Sequence, residues 1–306
     1  MEREKITYSG PLLEADFYPI CSDGRRLPTR APKTKPSRAA QEKYNQMKAT
    51  KKLIRLVNAN FDGTDYLMHP TYTPSKAPQN EEQARRDIVN YLRRVKTRRE
   101  SELKKLEKKL IAAKEAAKQM PDNLFLTETL EGLKKQIKKL RQPFKYIYVI
   151  EKETYKRGVY AGRDNWHFHL FISGGLSDKV LEGMWNHGIY TNADNYQPDK
   201  FGPEAAAKYM AKNPEGSKRF SYSKNLTKPK EKVKDGRVSR LQVERMCKLR
   251  VDDNEFWEKR YPGYKLLRTY PRYNQYNGHW YLTAVMYKID GTPPKWELND
   301  YGTEDF

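Results

Sequence analysis

Two histidines, His167 and His169, stand two residues apart in the run Trp166-His167-Phe168-His169-Leu170-Phe171-Ile172. The apolar, aromatic and β-branched residues around them are typical of a strand, in which alternate side chains lie on one face. Both imidazoles would then share a face, about 7 Å apart, with Phe168 directed into the core. Such a pair can chelate a divalent cation. The alternative is one packed and one exposed histidine without a metal.

A carboxylate is the obvious third ligand for this pair. Glu151 ends the preceding apolar run, Tyr146-Ile147-Tyr148-Val149-Ile150, and Glu153 follows two residues later. If the two strands pair antiparallel, a carboxylate at the end of the first reaches the imidazoles of the second. Two histidines and one carboxylate with open positions suit Mg²⁺ or Mn²⁺ in phosphate chemistry. Glu151 lies closer to the strand and is preferred over Glu153, although either could be a plain surface acid.

A candidate nucleophile lies about forty residues further on, in a small-residue helix that Pro203 opens and Asn213-Pro214 ends. Tyr209 and Lys212 are three residues apart and therefore lie on one helical face. A phenol has a pKa of about 10 and is a poor nucleophile at neutral pH. A neighbouring ammonium favours the phenolate and so activates it. The alternative is a tyrosine that simply packs against a sheet.

The composition agrees with phosphate chemistry. The 306 residues include 60 Lys/Arg against 39 Asp/Glu, a net charge of +21, and 22 tyrosines. Cationic side chains bind phosphates and aromatic rings stack on bases, so nucleic acid is the expected partner. A ribosomal-type or membrane-surface protein would also be basic. Two cysteines exclude a disulfide framework and fit a reducing, cytoplasmic location. No apolar run is long enough to span a membrane, and no P-loop motif occurs.

The elements that would position these residues alternate between strands and helices. We expect a proline-interrupted strand over Tyr66–Thr73 and a helix with the apolar stripe Ile88, Tyr91, Leu92 and Val95. Ser177 is a predicted N-cap of a short helix through Trp185, and Ile189–Asn192 a short strand. The predicted order, β–α–(hairpin)–β–β–α–β–α, indicates an α+β fold with an antiparallel sheet and flanking helices.

A helical hairpin interrupts this pattern at 98–141. Leucines recur at steps of three and four on both sides of Pro121-Asp122-Asn123, as in a coiled-coil seam. Two such stripes joined by a short breaker predict an antiparallel pair of helices. We expect this insertion to be self-contained, either as a spacer or as a partner-binding arm, and to contribute little to the core.

Two basic segments flank the central region. Residues 21–60 carry 11 Lys/Arg against 2 acids, with an extended proline-rich arm over Arg25–Arg38 and a helix over Ser37–Val57. Residues 216–250 carry 12 against 3. We therefore divide the chain into an N-terminal arm and helix (1–60), a central domain (61–230) and a basic, tyrosine-rich C-terminal extension (231–306). No fold is assigned to the last 55 residues.

Taken together, the His167-Phe168-His169 strand and the Tyr209-Met210-Ala211-Lys212 helix make the central region similar to the HUH endonucleases. It most resembles the single-tyrosine initiators of rolling-circle replication in plasmids, phages and integrative elements. The resemblance runs from about Lys43 to Pro229. Its other matching pieces are Leu53–Phe61, Asp65–Tyr72, Tyr146–Glu151, Trp185 with Gly188, and Ser223-Lys224-Asn225-Leu226.

This resemblance implies roles for individual residues. His167, His169 and Glu151 would hold the metal, Tyr209 would be the nucleophile and Lys212 its helper. Lys208, Arg219, Lys224 and Asn225 would contact DNA. Ala205 stands where two-tyrosine members have a second tyrosine, which indicates a single nucleophile. The sequence departs from the family at His69-Pro70-Thr71-Tyr72, in place of a Thr-Leu-Thr-like run, in a longer loop between Glu151 and His167, and in the hairpin.

The expected activity is nicking and rejoining of single-stranded or extruded DNA at an origin, through a 5′-phosphotyrosine link and a free 3′-OH. Mg²⁺ or Mn²⁺ would be the cofactor, and a separate host helicase would separate the strands. The alternatives are a conjugative relaxase or single-tyrosine transposase with the same chemistry, and a nucleic-acid-binding protein that does not cut.

Overall fold

The computed structural model describes residues 1–26, 37–120, 123–157, 159–188, 191–196, 210 and 219–289. Over these residues the chain divides into two compact units. Unit 1 comprises segments within Met1–Asn60 and Thr227–Phe306, and unit 2 comprises segments within Phe61–Gln197 and Tyr209–Leu226. The predicted basic arm and the predicted Tyr209 helix fall largely outside the described residues.

Each unit contains one five-stranded antiparallel sheet, and the described residues form six α-helices, so the fold is α+β as predicted. In chain order the elements are β1 (Glu2–Ser9), β2 (Leu12–Pro19), α1 (Arg38–Asn60), β3 (Tyr66–Met68), a 3₁₀ turn (Pro74–Lys76), α2 (Glu81–Gln119), α3 (Leu124–Arg141), β4 (Tyr146–Thr154), β5 (Asp164–Ile172), α4 (Asp178–Gly183), β6 (Ala193–Asn195), β7 (Ser221–Tyr222), β8 (Lys230–Asp235), α5 (Arg240–Leu249), α6 (Asn254–Arg260), β9 (Tyr264–Asn274) and β10 (His279–Lys288).

The sheet of unit 2 has the order β6-β3-β5-β4-β7. β4 and β5, the two strands predicted to position the site, pair antiparallel along their whole length, with Glu151 opposite His167. Successive side chains of β5 point alternately to the two faces of the sheet. Phe168 is fully buried in the core, as predicted, and the two histidines lie on the other face.

Helix α2 covers the core face of this sheet. Its stripe of Ile88, Tyr91, Leu92 and Val95 packs in one cluster with Phe168 and its neighbours on β5, as the spacing predicted. The Asn80 side chain caps the first turn by accepting a hydrogen bond from the backbone amide of Gln83. The negative charges of Glu81 and Glu82 interact favourably with the positive end of the helix dipole.

The predicted hairpin is present, but it is not self-contained. α2 runs from the core into the hairpin without a break, and α3 returns beside it, joined by an ion pair between Glu107 and Arg141. Leu140 belongs to the core cluster. The buried Arg99 guanidinium donates to the carbonyls of Ser173, Gly174, Leu140 and Gln142, and so ties the hairpin to the end of β5. The expectation that the hairpin contributes little to the core is therefore wrong for the base of the hairpin.

Unit 1 brings together strands from both ends of the chain, in the order β8-β1-β2-β10-β9. Its core contains Phe17 and Leu282 from the sheet and Val243 and Trp257 from α5 and α6. The predicted helix over Ser37–Val57 is found as α1, whereas no strand was predicted over residues 2–19. β1 and β8 come from the predicted N-terminal and C-terminal extensions, and they pair directly.

Candidate metal centre

Glu151, His167 and His169 converge on the open face of β4 and β5. The antiparallel register sets Glu151 directly opposite His167, and His169 follows on the same face because it is two residues further along. Glu151 Oε2 lies 3.2 Å from His167 Nε2 and 2.8 Å from His169 Nε2. One ligand atom from each of the three residues lies within 4.8 Å of the others.

The three residues are buried to different degrees. The Glu151 and His169 side chains are 6% and 1% exposed, and that of His167 is 12% exposed. Burying a carboxylate is costly unless hydrogen bonds or an opposite charge compensate it. Two imidazole nitrogens lie within hydrogen-bond distance of one Glu151 oxygen, and His167 is the most exposed of the three side chains. Glu153, the alternative third ligand, is exposed and lies outside this group.

A third histidine, His69, lies next to the group. Its Nδ1 is 2.9 Å from Nδ1 of His169, and the two rings meet edge to face at a centroid distance of 4.9 Å. The segment after β3 positions it. Pro70 interrupts regular pairing, the Pro70 carbonyl accepts from the Phe168 amide, and pairing resumes between Thr71 and His167.

Close packing holds that segment in place. A Cβ at Gly188 would lie 1.8 Å from the Thr71 carbonyl oxygen, so only glycine allows this approach. The Trp185 indole also donates to the Thr71 carbonyl, at 3.0 Å. Trp185 and Gly188, singled out in the sequence, thus support the backbone that carries His69.

The imidazoles of His169 and His69 are neutral at neutral pH. Burial lowers the pKa of His169 to about 3, and repulsion from His69 and His167 adds to that effect. Burial also lowers the pKa of His69. A neutral imidazole keeps one nitrogen lone pair, which is what a metal ligand requires.

The two ring nitrogens of His169 have different neighbours: Nε2 faces Glu151 and Nδ1 faces His69. For Nε2 to present its lone pair to a cation, the His169 proton must sit on Nδ1. Nδ1 of His69, 2.9 Å away, is placed to accept that proton. The feature of the sequence that pointed to His69 was the departure from the family pattern at His69-Pro70-Thr71-Tyr72.

Two nitrogens and one oxygen that converge at a largely buried point fit a divalent cation with open coordination positions. Nδ1 of His167 is buried and has no hydrogen-bond partner within the described ranges. The donor set does not by itself select one metal.

The remaining predicted site residues are distributed around this unit or lie outside the described ranges. Lys208, Tyr209 and Lys212 belong to the latter group. Arg219 and Lys224 flank β7, Arg219 half-buried and Lys224 exposed, while Asn225 uses its amide to donate to the Phe144 carbonyl at 3.0 Å. Asn225 thus fixes the backbone beside β4.

Comparison with known protein families, with curated proteins and with solved structures found no match. Within the part of the chain that the structure describes, none of the helices combines the length and the apolar character needed to cross a membrane.

Proposed function

We propose that unit 2 is a metal-dependent DNA nicking and joining enzyme of the HUH type that initiates rolling-circle replication. The observation that carries this proposal is the convergence of Glu151, His167 and His169 on one sheet face, with ligand atoms within 4.8 Å of one another. The sequence adds the Tyr209–Lys212 pair and a net charge of +21, both of which favour phosphodiester chemistry.

In this proposal the three ligands hold Mg²⁺ or Mn²⁺. When bound, the cation supplies Lewis-acid polarisation of the scissile phosphate. The chain's own contribution is to keep the His169 imidazole neutral through burial and to offer Nδ1 of His69 as the acceptor of a proton on Nδ1 of His169. Lys208, Arg219, Lys224 and Asn225 remain the residues proposed to contact DNA.

The proposed nucleophile is the Tyr209 oxygen. It forms a bond to the scissile phosphorus as the bond from phosphorus to the 3′ oxygen breaks. The phenol loses its proton, the departing 3′ oxygen gains one, and Lys212 favours the phenolate. The phosphodiester is conserved as a 5′-phosphotyrosine link, so the reverse reaction can rejoin the ends. The free 3′-OH can then be extended by a polymerase, with strand separation left to a separate helicase.

The decisive experiment is a covalent-adduct assay on single-stranded DNA with Mn²⁺. We expect the wild type to form an adduct that resists denaturing electrophoresis, and Tyr209→Phe to form none while binding DNA within a few-fold of the wild type. Tyr222→Phe is the matched control, because Tyr222 is an exposed tyrosine on the neighbouring β7. That variant should form the adduct at the wild-type rate.

Two results would contradict this mechanism. If Tyr209→Phe forms the adduct and Tyr222→Phe does not, Tyr222 is the nucleophile. Full cleavage by the wild type in excess EDTA would show that the reaction needs no metal.

A further inference from the structure

The sheet of unit 1 has one covered face and one partly open face. Leu13, Ala15 and Phe17 of β2 and Leu282 of β10 pack with α5 and α6 in a common core. The alternate side chains of these strands point to the other face of the sheet. Helix α1 packs on part of that face, over β1 and β2. Beside α1, over β2, β10 and β9, lies a groove of about 790 Å³.

Cationic side chains line this groove. They are Lys5, Arg26, Lys48, Lys51, Arg55 and Arg272, against one acid, Asp16. Glu14, beside the groove, pairs with Lys51 and Arg55, and Glu231 pairs with Lys5 at 2.8 Å. Among the described residues, no carboxylate lies within ion-pair distance of Arg26, Lys48 or Arg272. These three exposed cations leave the groove positively charged.

Tyrosine rings stand among the cations. The Arg26 guanidinium lies 5.3 Å from the ring centre of Tyr18, and that of Arg272 lies 5.0 Å from the ring centre of Tyr281. Tyr270, on the edge strand β9, is 50% exposed. The Arg268 guanidinium lies 5.3 Å from the centre of this ring. Half of the Tyr270 surface still faces water, where the flat face of a nucleobase can stack on it.

We propose that this groove binds single-stranded DNA, with phosphates on Arg26, Lys48 and Arg272 and a base stacked on Tyr270. The charge selects a polyanion, and the placement of cations beside tyrosine rings, with Tyr270 exposed and Tyr18 and Tyr281 half-buried, matches the alternation of phosphates and bases along an unpaired strand. A duplex has its base faces already stacked and would offer the rings only its backbone. The proposal does not rest on the nuclease function of unit 2, since it requires neither metal nor cleavage.

The charge contribution is tested by fluorescence anisotropy of the full chain with a labelled oligothymidylate of about 15 nucleotides, in EDTA. The groove variant is Arg26→Gln/Lys48→Gln/Arg272→Gln. The matched control is Arg245→Gln/Lys248→Gln/Lys259→Gln, which removes three exposed cations from α5 and α6, on the other side of the sheet. Three lost phosphate contacts at about 0.7 each should flatten the log–log salt slope by about 2 in the groove variant. The control should change the slope by less than half of that.

The stacking contribution is tested at Tyr270. Tyr270→Ala should weaken oligothymidylate binding by about 5- to 100-fold, and Tyr270→Phe should retain wild-type affinity, because the ring rather than the hydroxyl stacks. Tyr270→Leu keeps an apolar side chain without a ring and should bind like the alanine variant. Because Tyr270 is half-exposed, all three variants should melt within a few degrees of the wild type.

Equal losses in the groove variant and its control would overturn the proposal, as would equal binding by Tyr270→Ala and wild type. Tighter binding of a duplex than of the single strand, with the same dependence on Tyr270, would also overturn it. Failure here is separable from failure of the nuclease proposal. A wild-type protein without any covalent adduct can still bind oligothymidylate through the groove, and groove variants at saturating DNA should still form the adduct.

Discussion

Both sheets of this protein bury glutamates, and the groups around those glutamates differ. In unit 2, Glu151 faces the Nε2 atoms of two histidines, and burial keeps one of them, His169, neutral. In unit 1, the equally buried Glu4 accepts a 2.6 Å hydrogen bond from the Tyr261 hydroxyl and lies 3.3 Å from Arg260 and 3.7 Å from Lys234. The same residue type thus serves two different purposes.

The difference lies in what the neighbours can offer to a cation. An imidazole has a lone pair that can replace its hydrogen bond to the carboxylate with a bond to a metal. Guanidinium and ammonium groups have none, and their charge already neutralises Glu4. A buried carboxylate is therefore a candidate metal ligand only where its partners are also ligands. Glu2 is intermediate, since burial raises its pKa and one imidazole, that of His279, lies 3.1 Å away.

The sharpest test of this contrast is metal binding by Glu151→Ala and Glu4→Gln. We expect Glu151→Ala to lose cleavage and to raise the dissociation constant for Mn²⁺ by about a hundredfold or more, because two imidazoles alone hold a hard cation poorly. Glu4→Gln should bind Mn²⁺ like the wild type. Titration calorimetry gives both values, and an equal loss in the two variants would show that the effect is on folding.

The converse test is stability. Glu4→Ala should lower the free energy of unfolding of unit 1 by about 2–3 kcal/mol, because Arg260 and Lys234 would keep their positive charges without the carboxylate between them. The control is Glu231→Ala, on β8 of the same sheet, whose carboxylate is 48% exposed and pairs with Lys5. Its loss should cost less than about 1 kcal/mol. Urea unfolding measures both, and similar costs would contradict the contrast.

A smaller effect is expected at the histidines that are not ligands. His69→Ala should weaken Mn²⁺ binding about tenfold, because His169 would lose the partner that holds its proton on Nδ1. His69→Asn retains a polar atom near that position and should recover most of the affinity. His279→Ala, at the single-imidazole pair of unit 1, should leave the affinity unchanged. Equal affinities for His69→Ala and wild type would remove His69 from the site.

The smallest effect concerns the helical hairpin of unit 2. Replacing Ala112–Glu131 with a short Gly/Ser linker should change the free energy of unfolding by less than about 1 kcal/mol, because none of the described residues of this distal part belongs to the core cluster or packs against it. Leu140→Ala, at the base, should cost about 2–3 kcal/mol through the cavity that it leaves in the core. A large cost for the distal replacement would show that the tip of the hairpin also supports the fold.

Local patterns in the sequence were sufficient for much of unit 2. The apolar runs around Val149 and Phe168 predicted β4 and β5, and the period of two placed both histidines on one face. Ser177 was correctly predicted as a helix N-cap, since it accepts from the Val180 amide. These predictions succeeded because each depends on residues that are close in sequence, where periodicity and capping determine the outcome.

The same approach failed for β1. Its buried side chains include Glu2 and Glu4, so the strand lacks the apolar alternation that marks a half-buried strand. The partners of these carboxylates are distant in sequence: Tyr261 lies 257 residues from Glu4 and His279 lies 277 residues from Glu2. Together with Arg260 and Lys234, they make the burial of those carboxylates tolerable.

The sequence by itself therefore determined the donor types and the spacing of His167 and His169. Only the tertiary structure decided that Glu151 rather than Glu153 joins them and that His69, a hundred residues before His169, supports the site. The physical reason is that ligand convergence depends on strand register and on a proline-broken segment packed beside β5. Strand register and the packing of that segment both depend on contacts between residues that are distant in sequence. Such contacts produce no local periodicity from which they could be predicted.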